Sequence, residues 1–146
     1  MRDIIETARQ FDYVREAGQN RGLRVEAIQH WSSGQFGDSW CAEFATMVLD
    51  IAFKGKAPIE RQGGAQDIRE VCRKNGWITN TPEVGDLFFY VDGNDHAHHV
   101  GFVTQLDPLM GIAGNTSEDG KSDNGTGVFE HEISATIFGH YPRDGA

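Results

Sequence analysis

Basic residues are scarce in this chain of 146: 13 Lys and Arg stand against 22 Asp and Glu, a formal charge of −9 at neutral pH. A surface so short of cations cannot release many counterions from a phosphate backbone, which argues against nucleic acid as a partner. Adsorption to an anionic membrane through a basic face is disfavoured on the same ground. Long apolar runs are missing as well. Membrane insertion takes about 18 or more consecutive apolar residues, and the sequence contains no such run. The opening MRDIIETARQ puts charges where a signal peptide needs an apolar stretch, so the expectation is a chain made in the cytoplasm without a signal peptide. Cysteine is limited to Cys41 and Cys72, too few for a disulfide framework or a four-thiolate zinc site. With no repeat, low-complexity tract or linker, one domain over 1–146 is expected, and at this length about two-thirds of the extended-chain surface can be buried without a staple.

What is present falls into two halves of different period. Ile4, Ile5, Ala8, Phe11 and Val14 recur at helical spacing up to Gly18, and RVEAIQHW at 24–31 suggests a second, short helix. After the loop SSGQFGDS, residues Cys41, Phe44, Ala45, Val48, Ile51 and Ala52 fall on one face of a third helix. A fourth covers 65–75 and stops at Asn75-Gly76. From there the pattern shortens to LFFYV at 87–91, HVGFVT at 99–104, MGIAG at 110–114, GVFE at 127–130 and ATIFGHY at 135–141. The polar, glycine-rich 114–127 reads as a long surface loop. Helices first and strands second predict an α+β domain, the helices on one face of an antiparallel sheet.

Cys41 is the first chemical candidate. Ser39 or Asp38 can cap its helix, leaving the thiol in the first turn, where unpaired N–H groups and the dipole favour an anion. Those surroundings lower a thiol pKa and make a nucleophile; the alternative is a small apolar core residue. Cys72, mid-helix in REVCRKNG, is expected to be core. A cysteine nucleophile needs a base, normally an imidazole held by a third group. His99 opens a strand that turns at Leu106-Asp107-Pro108-Leu109 into MGIAGN. Opposed residues of an antiparallel hairpin keep a constant index sum, here about 214 to 216, which sets His99 against Asn115 or its neighbour. The alternative for each is an ordinary polar strand end.

Other clusters carry competing readings. Asp95, His96, His98 and His99 are zinc-ligand types, but adjacent strand residues such as His98 and His99 point to opposite faces. No metal site is assigned. The acidic 118–123 has calcium-type oxygens without EF-hand spacing, with Lys121 where a ligand belongs. Asn115-Thr116-Ser117 matches a glycosylation sequon that carries no meaning without secretion. Trp31, Phe36, Trp40 and Tyr90 could stack on sugar or peptide, though core packing is the commoner fate of an aromatic.

In that order along the chain, SWCAEFATMVL at 39–49, EVGDLFFY at 83–90, HVGFV at 99–103 and GNTSEDG at 114–120 resemble the cysteine, histidine-dependent amidohydrolase/peptidase (CHAP) family over residues 31–141. These are papain-like peptidoglycan hydrolases, frequent among phage endolysins and wall-remodelling enzymes. The resemblance implies a papain-like α+β fold in which Cys41 is the nucleophile, His99 the general base and Asn115 the orienting residue. Gln35, six residues before Cys41, becomes a candidate oxyanion donor beside the Cys41 N–H, or else a solvated loop glutamine. Trp40 and Tyr90 become candidate substrate contacts. Members with E-G-N carry a carboxylate where this chain has Ala113, which leaves the third role to Asn115 alone. The implied reaction is hydrolysis of a wall amide, an N-acetylmuramoyl-L-alanine or peptide bond, through an acyl-enzyme. The expected partner is bacterial peptidoglycan, met by a monomer with no cofactor. A catalytically silent papain-like module that binds a wall peptide or a protein remains open, as does a cysteine acyltransferase, because deacylation by an amine uses the same residues.

Overall fold

The computed structural model describes residues 3–31, 40–116 and 126–143. Four helices come first: α1 (Ile4–Arg9), α2 (Leu23–Trp31), α3 (Cys41–Ala52) and α4 (Ala65–Lys74). Six strands follow: β1 (Ile78–Thr79), β2 (Leu87–Val91), β3 (Ala97–Leu106), β4 (Leu109–Thr116), β5 (Gly127–Glu132) and β6 (Ile137–Gly139). They form one antiparallel sheet in the order β1-β6-β2-β3-β4-β5. The α+β arrangement read from the sequence is the one found.

The run LFFYV is apolar throughout because both sides of β2 are covered. Leu87 and Phe89 join Val100, Phe102 and Ile112 in the main core beneath the helices. Phe88, between them, alternates to the other side and packs with Val103, Ala113 and Phe138. Ile133 and Ala135, from the chain that links β5 to β6, close this second core. Helix α3 packs on both β3 and β4, and its residues 41–49 are all buried. Its aliphatic and aromatic content on every side suits a helix enclosed by others.

Helix α1 is shorter than its periodicity predicts. Beyond Arg9 the chain turns, and Val14 and Arg15 are extended. The Val14 carbonyl accepts from Val128 N–H at 3.1 Å, Glu16 N–H donates to the Thr126 carbonyl at 2.7 Å, and Arg15 bridges to Gly127. Edge pairing with β5 satisfies backbone groups that helix continuation would have satisfied otherwise, while Val14 stays buried either way. The two-residue β1 had no sequence signal. It exists because Ile78 and Thr79 pair with Gly139 and Phe138.

Candidate active site

Cys41 is the first residue of α3, where the first-turn N–H groups lack helical partners. The N-cap position is Trp40, which makes no side-chain cap bond; Ser39 and Asp38, expected to cap, and Gln35, the oxyanion candidate, lie outside the described residues. Trp40 is fully buried, and its indole N–H donates to Glu16 Oε2 at 2.8 Å. The ring packs in the main core, the other fate the sequence allowed it. Nothing in the sequence pointed to Glu16 as its partner.

The turn between β3 and β4 falls where the hairpin arithmetic places it. Phe102 pairs with Ile112 and Leu106 with Leu109. The recorded β3–β4 pairing ends at Phe102 and Ile112, three residues short of His99 on one strand and of Asn115 on the other. The strand carrying Asn115 also lies against the start of α3: a Cβ at Gly114 would sit 2.8 Å from both Trp40 Cζ3 and Phe44 Cβ. Only a glycine lets β4 approach so closely, and it brings the residue next to Asn115 against the residue next to Cys41. Cys41 is 5% exposed and His99 and Asn115 are 1% exposed, so dipoles and charges here act with little screening by water.

His99 and Asn115 both sit at breaks in the ladder. Between β2 and β3, Tyr90 pairs with His99 and Val91 with Ala97, leaving His98 as an extra residue. Between β4 and β5 the register shifts from Ala113 to Thr116, and Asn115 adopts φ +54°. Bulges locally abolish period-two alternation and re-aim side chains. His98 is exposed and His99 buried, as expected of adjacent strand residues that face opposite ways, and their ring centroids lie 6.3 and 5.7 Å from that of Tyr90. Tyr90 stacks on His99 at an interplanar angle of 21°, and Phe88 approaches the imidazole at 6.1 Å. Asn is among the few residues besides Gly that occupy positive φ readily.

Cys72 behaves as the core residue expected of it. It is fully buried beneath β6, and burial, with a smaller push from Asp86, raises its thiol to about 12. Thiolate chemistry near neutral pH is closed to it. Asp86, the acid of the VGD turn, is buried and accepts from Glu83 N–H at 2.8 Å, from Arg143 and from His140 Nδ1 at 2.7 Å. It ties the end of the described chain to the start of β2.

The 95–99 cluster disperses. Asp95 pairs with Arg69 at 2.8 Å, and Asp92 accepts from Asn94 and His96 N–H groups. Among the described residues no group of three or more His, Cys, Asp or Glu is gathered to hold a metal, and the acidic 118–123 lies outside them. Among the described residues no helix is long and apolar enough to cross a membrane. A scan against known protein families matches residues 30–118 to the CHAP domain. No curated protein and no solved structure matches the chain.

Proposed function

The chain belongs to the CHAP domain family, and from that premise we propose that it hydrolyses an amide bond of bacterial peptidoglycan with Cys41 as nucleophile. Family membership supports a peptidoglycan hydrolase or amidase in general; the residue roles and the bond are this proposal's own. The observation that carries it is the position of Cys41 as the first residue of a helix packed on the two strands that hold His99 and Asn115.

The Cys41 thiolate attacks the amide carbonyl while His99 holds the proton taken from the thiol. The tetrahedral oxyanion forms beside the Cys41 backbone N–H, with Gln35 as the second donor. Preorganised donors of this kind are worth about 10²-fold or more each. As the C–N bond breaks, His99 gives its proton to the departing amine and a Cys41 thioester remains. Water, deprotonated by His99, cleaves the thioester, returning thiol and carboxylic acid. Asn115 fixes the imidazole tautomer through its amide oxygen. The thiol and imidazole supply nucleophile and proton transfer between them, so the scheme needs no Lewis acid.

Cys41→Ala and His99→Ala should each abolish clearing of a purified peptidoglycan suspension while retaining native circular dichroism. Cys72→Ala should keep most of the activity. Substantial turnover by either of the first two variants defeats the cysteine mechanism; loss in folded Cys72→Ala means the wrong thiol has been assigned.

A further inference from the structure

Glu16 reaches both sides of the candidate site from outside it. Its Oε2 accepts from the Trp40 indole N–H at 2.8 Å, and Trp40 is the residue before Cys41. Its backbone N–H donates to the Thr126 carbonyl at 2.7 Å, and Thr126 N–H donates in turn to the carbonyl of Thr116, the residue after Asn115, at 3.0 Å. One residue thus holds the neighbour of Cys41 with its side chain and the neighbour of Asn115 through its backbone. The chain can lie this close to β5 because position 127 is glycine: a Cβ there would collide with the Val14 carbonyl. Arg15 fastens the same segment, donating to the Val128 carbonyl at 3.2 Å and lying 4.0 Å over the Phe129 ring. Glu16 and Thr126 both fall outside residues 30–118, the part matched to the CHAP domain.

We propose that Glu16 is a positioning residue for the reaction, acting through Trp40 to set the start of α3 against the Asn115 end of β4. Trp40 is fully buried at the N-cap position. Its indole has a single polar atom, a donor, and Glu16 takes it. A buried N–H stripped of its acceptor is costly, so the bond selects the ring orientation in which Nε1 faces Glu16. In that orientation the far edge of the ring meets β4, where a Cβ at Gly114 would sit 2.8 Å from Trp40 Cζ3. A ring turned away from Glu16 would lose the bond and change the spacing between α3 and β4. The assignment rests on the reading of Cys41 and Asn115 as members of the reacting group, and it adds a residue that acts on them from the N-terminal segment.

The test measures kcat and KM on soluble peptidoglycan fragments for the full chain carrying Glu16→Ala, Glu16→Gln, Trp40→Phe, or Glu16→Ala with Trp40→Phe. Glu16→Ala should lower kcat about 5- to 50-fold, the scale of a small misplacement of reacting groups, while KM stays within about twofold. Glu16→Gln keeps an acceptor oxygen without the charge and should stay within about twofold of the wild-type kcat. Trp40→Phe removes the donor, and the double variant should be no slower than Trp40→Phe alone, as for two partners of one bond. Should Glu16→Ala unfold, Trp40→Phe carries the kinetic arm with the same expected loss. In the isotope-labelled chain the Trp40 indole proton should resist exchange with solvent in wild type and Glu16→Gln. It should exchange readily in Glu16→Ala, where the amide resonances of Cys41 and Asn115 should also move. Wild-type kcat in folded Glu16→Ala, equal losses in the Ala and Gln variants, or additive losses in the double variant would overturn the assignment. These resonance changes in a chain that leaves peptidoglycan intact remove the hydrolase reading and keep the tie. Wild-type cleavage left unchanged by folded Glu16→Ala removes the tie and keeps the hydrolase.

Discussion

At the scale of single residues, Asn115 combines its proposed orienting task with a backbone one. Its φ of +54° means that Asn115→Ala would remove the amide and strain the turn together. Asn115→Gly separates the two, because glycine accepts positive φ without cost to sterics. We predict that Asn115→Gly folds with near-native stability yet loses about 10- to 10³-fold in peptidoglycan turnover, the range for an orienting or proton-transfer contribution. Wild-type kinetics in that variant would show that His99 is oriented by another group. Residue types and spacing nominated Cys41, His99 and Asn115, and the proposed mechanism rests on the same three residues. The burial of Trp40 and its bond to Glu16 were not, since a tryptophan beside a candidate nucleophile reads equally well as a platform or as core until its surroundings are known. The stack of Tyr90 on His99 was likewise hidden, because it depends on the long-range pairing of β2 with β3.

Among the elements, periodicity foretold what repeats and missed what interrupts. The heptad-like face of α3 and the runs at 87–91 and 110–114 identified a buried helix and two strands within a few residues of their observed limits. Helix α1 stops at Arg9 because Val14, Arg15 and Glu16 pair with the β5 edge, a long-range competition invisible to local spacing. The bulges at 97–99 and 113–116, beside His99 and Asn115, add one residue to a strand without any compositional mark. The approach of β4 to α3 depends on Gly114, which suggests a test at this scale. Gly114→Val would press its side chain into Trp40 and Phe44. Overpacking of this kind costs roughly 1 to 3 kcal/mol, a fall in Tm of about 3 to 12 °C for a domain of this size. Because the displaced strand carries Asn115 and the displaced ring adjoins Cys41, turnover measured well below the new Tm should fall too. Unchanged Tm and rate would mean that β4 does not approach α3 this closely.

For the whole molecule, opposing titrations bound the pH range of stability. Arg9 holds the Glu130 carboxyl below its ordinary value through a paired hydrogen bond, and Arg73, Arg21 and the N–H groups of Asn94 and His96 do the same for Glu70, Glu26 and Asp92. Lowered carboxyl values stabilise the fold above the unfolded range near 4.5 and lose that effect as pH falls through the folded values. At the other end, burial pushes the Cys72 thiol from 9.0 to about 12 and raises the Tyr141 phenol from 10.0. There the unfolded chain releases protons first, so stability declines as pH rises past about 9. Urea midpoints at fixed salt should form a plateau between about pH 5 and 9 and fall on both sides; a maximum below pH 4 or above pH 10 would contradict this. The central claim, cysteine-dependent cleavage of a wall amide, is tested most directly by mass spectrometry of the soluble fragments released from purified peptidoglycan. Wild-type protein should release fragments that gain one water at an amide, with a new amine and a new carboxylate, and Cys41→Ala should release none. Fragments ending in newly exposed reducing sugars, or the same fragments from Cys41→Ala, would contradict it.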